Sequence, residues 1–421
     1  MDKFIIKGGT SLHGEVSISG SKNAALPILC SSILAEDKCF YSNVPRLMDI
    51  STISKVLSRL GIVVERPAEN TLVADPTTID SYEAPYDLVK SMRASILVLG
   101  PLLAKYGKAK VSLPGGCAIG VRPIDLHLKA FAKMGADIEL SHGYVIATTR
   151  GLKGTKIIFD NTTVGGTENV LMAAALAEGQ TTIEGAAMEP EVVDLANALK
   201  AMGARIDGAG QKTITIEGVK SLKGLNYSVI PDRIELGTLL VAVAITKGEV
   251  TIKGGRPEHV TAVTEKLVEM GIEISVRDDG SLKVNGNRDL RPVNVKTVPY
   301  PGFPTDMQAQ IMALACIADG VSSITENIFE NRFMHVPELM RMGASIEEKG
   351  RTVIVRGVRR FQGASVMATD LRASASLVLA ALNASGQTEI RRIYHLDRGY
   401  EALDKKLVNL GASVSREKGG L

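Results

Sequence analysis

The sequence predicts an α/β (α+β) protein of two domains, each built from three copies of a strand-helix-strand-helix-strand-strand unit. Three observations carry that prediction. The phrases SRLGIVV, AKMGADI, KAMGARI, VEMGIEI, MRMGASI and VNLGASV place Gly61, Gly135, Gly203, Gly271, Gly343 and Gly411 about 70 residues apart. An Ala/Leu/Val-rich helical stretch lies upstream of each, at 22–37, 92–107, 168–179, 234–248, 305–320 and 371–386. The 421 residues, 45% of them hydrophobic, can fill more than one core.

Within a unit, each glycine ends an amphipathic helix with a left-handed cap, and a strand follows it. The apolar stretch is hydrophobic all round, which predicts a helix buried at the centre of its domain with sheets outside. A short strand such as TTIEG or VTIKG joins the two helices, and TITIEGV or TVIVRGV adds a hairpin partner. The sixth unit ends at SREKGGL without that partner, and the N-terminal FIIKGG has its pattern. Residues 1–21 are therefore read as completing the sixth unit. The domains then run over 22–229, which holds the loop around Cys117, and over 1–21 with 230–421, with a ligand cleft expected between them.

Composition excludes several classes of function. A net charge of +3, no Trp and few other aromatic residues fit no nucleic-acid surface. No apolar run reaches membrane-spanning length and the N-terminus does not read as a signal peptide, so a cytoplasmic protein without membrane contact is expected. Cys30, Cys39, Cys117 and Cys316 form no CxxC pair, the six His show no metal-site spacing, and no GxxxxGK[ST] loop occurs. Cys30, Cys39 and Cys316 lie in apolar patterns and read as core.

Cys117 differs, because it stands in Pro114-Gly115-Gly116-Cys117-Ala118-Ile119-Gly120-Val121-Arg122-Pro123. Two readings are open: a surface loop with an incidental thiol, or a reactive loop in which Arg122 favours thiolate and attracts anions. The fourth unit favours the chemical reading. Aligned on GG and RP, its VTIKGGRPEHV lacks Cys117 to Val121, so the second unit carries a five-residue addition that the repeat does not need in order to fold.

The mouths of the apolar helices hold Lys22-Asn23, Arg93, Thr167-Glu168, Arg233-Glu235, Asp306 and Asp370-Arg372. The acids fit the positive end of a helix as caps, and one that faces cations is also a candidate general base. Lys22, Arg93 and Arg372 are unfavourable there unless an anion lies among them, which points to a doubly charged ligand such as a phosphate ester.

With SGSKNAALP around Lys22 and Asn23, MRAS at Arg93, LPGGCAIGVRPIDLH, GFPTDMQAQ, ENIFENRFMHVPELMRMGA, ATDLRA and IYHLDRGYE, the chain resembles along its whole length the UDP-N-acetylglucosamine 1-carboxyvinyltransferase family. The resemblance implies an inside-out α/β barrel in each of two domains. It also implies transfer of the enolpyruvyl group of phosphoenolpyruvate to the 3'-hydroxyl of UDP-N-acetylglucosamine, through a tetrahedral ketal and with loss of phosphate. This is the opening step of peptidoglycan precursor synthesis. Cys117 would protonate the vinyl carbon and take covalent adducts, including that of fosfomycin. Lys22, Arg122 and Arg398 would hold phosphate and carboxylate, Asp306 would accept the hydroxyl proton, and Asn23, Asp370 and Arg372 would complete the site. The UDP-sugar would lie along Arg122, Pro123, Ile124, Asp125 and Leu126 and along Asn161, Thr162, Thr163 and Val164. Asn23 and Arg93 would stand near it, with Asp306 and Ile328 reaching it from the other domain. No cofactor or metal is expected, since the cations offset the substrate charge. Met48 and Asn161 stand where some members have lysine, and Arg46 is the cation beside the first. The alternatives are a 3-phosphoshikimate 1-carboxyvinyltransferase, disfavoured by the cysteine loop, and a catalytically silent UDP-sugar-binding paralogue, disfavoured by the intact set of Lys22, Asp306, Asp370 and Arg398.

Overall fold

A computed structural model describes residues 2–90, 92–113 and 124–418. The described residues fall into two compact units, 2–19 with 231–418 and 20–113 with 124–230. Each has its own hydrophobic core.

The repeat is visible as six four-stranded sheets with one connectivity. In the third, Lys156–Ile158 pairs in parallel with Gln180–Glu184, which pairs antiparallel with Thr213–Glu217, which in turn pairs with Arg205–Asp207. Alternation turns Ile214 and Ile216 inward and leaves the polar side of the strand outside. The N-terminal segment is divided between two sheets. Lys3–Lys7 lies between Gln387–Arg391 and Ser413–Glu417 in the sixth, whereas His13–Ser17 pairs in parallel with Glu249–Lys253 in the fourth. Sequence reading assigned all of residues 1–21 to the sixth unit, and this second strand corrects it. HGEVS has one buried side chain, too faint a period to reveal its partner. The first sheet is completed in the same way by Asn226–Ser228, which pairs with Cys39–Ser42.

The apolar helices form the interior of each unit. In one, Lys22–Ser31, Leu99–Tyr106 and Val164–Ala174 lie among the core elements; in the other, Arg233–Ile245, Gln308–Ala315 and Leu371–Asn383 pack on one another. Every residue from Ile234 to Ile245 is buried. The third helix begins at Val164, four residues before the expected 168, because Thr163 accepts from the Gly166 N–H at 3.2 Å and caps it ahead of two glycines. Thr167 and Glu168 are therefore inside the helix and buried, not at its mouth. Burial, with Glu191 and Glu189 nearby, holds the Glu168 carboxyl well above the usual range.

The glycines that mark the repeat all have φ between 91° and 110°. Gly203 ends Pro190–Met202 and donates to Leu199 and Lys200, and a Cβ there would meet nothing within 4 Å. Its cost is thus backbone strain alone. Gly203→Ala is expected to lower unfolding stability by roughly 1–2 kcal/mol in a denaturant titration with activity unchanged. Among the described residues no helix is long and apolar enough to cross a membrane.

Candidate active site

Two clusters carry the predicted site residues, one in each unit. In the unit of residues 231–418, Asp306 stands in the turn Thr305–Met307 that leads into the Gln308–Ala315 helix. Its carboxylate is held from two sides. Arg332 Nη2 donates to Oδ1 at 2.9 Å, and Arg372 Nε donates to Oδ2 at 3.1 Å, with Arg372 Nη2 in an ion-pair contact 3.0 Å from the same oxygen. The side chains of Arg332 and Arg372 are 4% and 3% exposed and that of Asp306 is 29%, so the cations lie behind the carboxylate.

The helix-mouth cation Arg372 thus has a protein anion as its partner. Burial by itself would lower its guanidinium, and Tyr400, Asp306 and Asp232 more than offset this. The Tyr400 ring lies 5.2 Å from it. Tyr400 is joined to Thr238 at 3.0 Å and accepts from Gln310 at 3.2 Å, which ties the turn of Asp306 to two central helices. Arg332 Nη1 and Arg372 Nη1 are buried and meet no hydrogen-bond partner among the described residues. Each such donor costs about 1–3 kcal/mol while it stays unmet.

Asp370 caps the Leu371–Asn383 helix, accepting from the Arg372 and Ala373 N–H groups at 2.8 and 3.0 Å. Arg398 ends the turn Ile393–Arg398. Arg398 and Asp370 are both close enough to bias His395, which burial holds below its ordinary value. Ile328 is placed by Glu326, a buried carboxylate that opens the ENIFENR motif and had no role assigned to it. Its Oε1 accepts from the Ile328 N–H at 2.8 Å and from Thr297 Oγ1 at 2.9 Å, while Oε2 accepts from Thr305 Oγ1 at 2.9 Å. One side chain therefore connects the Ile328 loop to the neighbour of Asp306.

In the other unit, Lys22 opens its helix behind the Ser21 cap, with Asn23 half-buried beside it. Lys22 is buried and donates to Asp49 Oδ2 at 3.1 Å. Asp49 was not expected from the sequence, since it lies 27 positions away on another helix. Its neighbour Met48 is 50% exposed, and Arg46 pairs with Glu69 at 3.2 Å.

Ile124 and Leu126 are partly buried where the Asp125–Lys133 helix begins, and Asp125 pairs with Lys129 at 3.1 Å. Asn161, Thr162, Thr163 and Val164 form the entry to the Val164–Ala174 helix, largely exposed. Between these segments lies His127, which sequence reading left without a role. Asn169 donates to its Nδ1 at 3.1 Å and to Ile96 O at 3.0 Å, and accepts from the Gly100 N–H at 2.8 Å. His127 Nδ1 is then an acceptor and Nε2 carries the proton. Burial, with Arg93 nearby, pushes the imidazole down to about 4, against a smaller opposing effect of Asp125.

A His held neutral contributes stability above its ordinary value near 6.5 and loses it as pH falls toward 4, on the order of 3 kcal/mol in all. His127→Gln is therefore expected to flatten the fall in melting temperature of the intact protein between pH 6.5 and 4. An unchanged slope would contradict the neutral assignment. Cys117, Arg122 and Pro123 lie outside the described residues.

The sixfold repeat of one sheet pattern is that of a known class, the carboxyvinyltransferases, as comparison with known proteins shows. The chain belongs to the EPSP synthase (3-phosphoshikimate 1-carboxyvinyltransferase) family, whose model matches residues 6–407. Its full-length relatives carry a different name within that family. Proteins named UDP-N-acetylglucosamine 1-carboxyvinyltransferase are 60% identical over 416 residues in Geotalea uraniireducens, covering 99% of both chains, and 57% identical over 421 residues in Myxococcus xanthus, covering 99% of this chain and all of that one. Among solved structures, the enolpyruvyl transferase NikO from Streptomyces tendae superposes with a TM-score of 0.90 at 27% identity, over all of this chain and 99% of that one. An EPSP synthase from Acinetobacter baumannii, at 0.78 and 20% over 99% of this chain and all of that one, shares the fold.

Proposed function

We propose that this chain is a cytoplasmic transferase that moves the enolpyruvyl group of phosphoenolpyruvate onto the 3'-hydroxyl of UDP-N-acetylglucosamine, releasing phosphate for peptidoglycan precursor synthesis. The observation that carries the reading is identity of up to 60%, across nearly the whole chain, with relatives bearing that name. The arrangement around Asp306 is consistent with it, because the two cations keep the carboxylate charged, the form that can take a proton, and add positive charge for an anionic substrate.

Phosphoenolpyruvate carries phosphate and carboxylate on three carbons, and Lys22, Arg122, Arg372 and Arg398 supply the cations, with Asn23 and Asp370 completing the site. Cys117 gives a proton to the vinyl carbon, a thiol being a group that can carry a proton near neutral pH and still release it. Asp306 takes the proton of the sugar hydroxyl as its oxygen bonds to the neighbouring carbon. Loss of a proton from the methyl group and of phosphate from the ketal then restores the double bond. The nucleotide lies along Arg122 to Leu126 and Asn161 to Val164, near Arg93, with Ile328 against the sugar. Fosfomycin alkylates Cys117.

Mass spectrometry of the product tests the reading. UDP-N-acetylglucosamine is expected to gain one enolpyruvyl group for each phosphate released, and an unchanged nucleotide sugar in the presence of an active protein would refute it.

A further inference from the structure

We propose that Glu326 is a positioning residue for the acceptor half of the reaction, one that holds the Ile328 loop and the turn of Asp306 in a fixed relation. The inference rests on the reaction proposed above, in which the sugar lies against Ile328 and gives its hydroxyl proton to Asp306. Glu326 is 1% exposed, and no cation pairs with it among the described residues. Neutral donors satisfy it instead. The Ile328 and Phe329 N–H groups reach Oε1 at 2.8 and 3.2 Å, Thr297 Oγ1 donates to the same oxygen at 2.9 Å, and Thr305 Oγ1 donates to Oε2 at 2.9 Å. Thr297 Oγ1 also accepts from the Asn327 N–H at 2.9 Å, so its single proton is committed to Glu326.

These donors lie on three segments: the end of the strand Asn294–Lys296, the loop after Val321–Thr325, and the turn Thr305–Met307. Glu326 itself follows the strand Val321–Thr325 directly, and its N–H donates to Arg351 O at 2.8 Å, so it stands on a rigid element. Backbone donors cannot follow a carboxylate that turns. The loop therefore sets the orientation of Glu326, and its second oxygen sets where the turn of Asp306 begins. Arg332 and Arg372 act on the Asp306 side chain, whereas Glu326 acts one residue upstream, through the hydroxyl of Thr305.

Stability of the fold is an incomplete account of this joint, because a buried carboxylate is costly to desolvate and apolar packing would link the segments more cheaply. What the carboxylate adds is direction. A surface that meets the sugar and a base that meets its hydroxyl must keep their spacing to a fraction of an ångström, which is where positioning contributes to rate.

The test is steady-state phosphate release by the full chain, with phosphoenolpyruvate and UDP-N-acetylglucosamine each varied at saturating levels of the other. Glu326→Leu, which keeps much of the volume and removes both acceptors, is expected to lower kcat by roughly 10–100-fold and to raise KM for the nucleotide sugar by roughly 3–10-fold, with KM for phosphoenolpyruvate within about twofold. Glu326→Gln should recover most of the loss. Its amide oxygen can accept from the two N–H groups and Thr297, and its NH₂ can donate to a Thr305 hydroxyl that has rotated. Thr305→Val breaks only the link to the turn, so kcat should fall by roughly 5–20-fold with KM for the nucleotide sugar within about twofold. In a Glu326→Leu background Thr305→Val should add no further loss.

Wild-type constants in a folded Glu326→Leu, an equal rise in both KM values, a Glu326→Gln as impaired as Glu326→Leu, or additive losses in the double variant would overturn the assignment. If Glu326→Leu does not fold, Thr305→Val decides, and wild-type kcat there overturns it. In each of these cases a wild-type chain that releases phosphate only with the acceptor leaves the reaction standing. A wild-type chain without acceptor-dependent release overturns the reaction itself, and this assignment with it.

Discussion

Asp306→Asn is expected to lower phosphate release by roughly 10²–10⁴-fold with the fold retained. Asparagine keeps the shape of the side chain but removes the basic oxygen. It also places an NH₂ group where one of two oxygens accepted from Arg332 or Arg372, so a donor meets a donor. Leaving that buried contact unmade costs about 1–3 kcal/mol, and the melting temperature should fall while the far-ultraviolet circular dichroism remains. Near-normal turnover in a folded variant would remove Asp306 as the base.

The second large effect concerns the thiol. Cys117→Ser is expected to lower phosphate release by roughly 10²-fold or more and to abolish covalent labelling by fosfomycin. A serine hydroxyl is far less acidic than a thiol and gives up its proton poorly to a vinyl carbon. Labelling followed by peptide mass spectrometry should find the adduct on the segment that contains Cys117 in the natural chain. Retention of both labelling and turnover in the serine variant would show that the added loop has another purpose.

Much of the fold was legible because its signals are local and repeated. A helix of nearly constant length must stop, and a left-handed glycine stops it; Gly61 through Gly411 show that solution six times in the sequence and in the structure. The strand Lys3–Lys7 could be assigned to the sixth sheet because that unit visibly lacked its fourth strand. Less was legible where the local pattern is weak or contradictory. The apolar pattern of the third helix starts only at 168, yet the Thr163 cap begins the helix at Val164 and carries it through Gly165 and Gly166.

The contacts at the clusters were the least legible. Asp49 meets Lys22 across 27 positions, and Arg332 meets Asp306 across 26. Neither spacing is a period of helix or strand, and only packing of the central helices and their loops brings the groups together. Lys22 and Arg372 at the helix mouths need an anion nearby, and the anions beside them in the structure include the protein's own Asp49 and Asp306. Those acids lie on distant elements, where no local pattern marks the contact.

Acceptor dependence tests the central claim most directly. With phosphoenolpyruvate present, phosphate release should require UDP-N-acetylglucosamine and remain at background with shikimate 3-phosphate. Release that depends on shikimate 3-phosphate alone, or binding of UDP-N-acetylglucosamine without any release, would contradict the account.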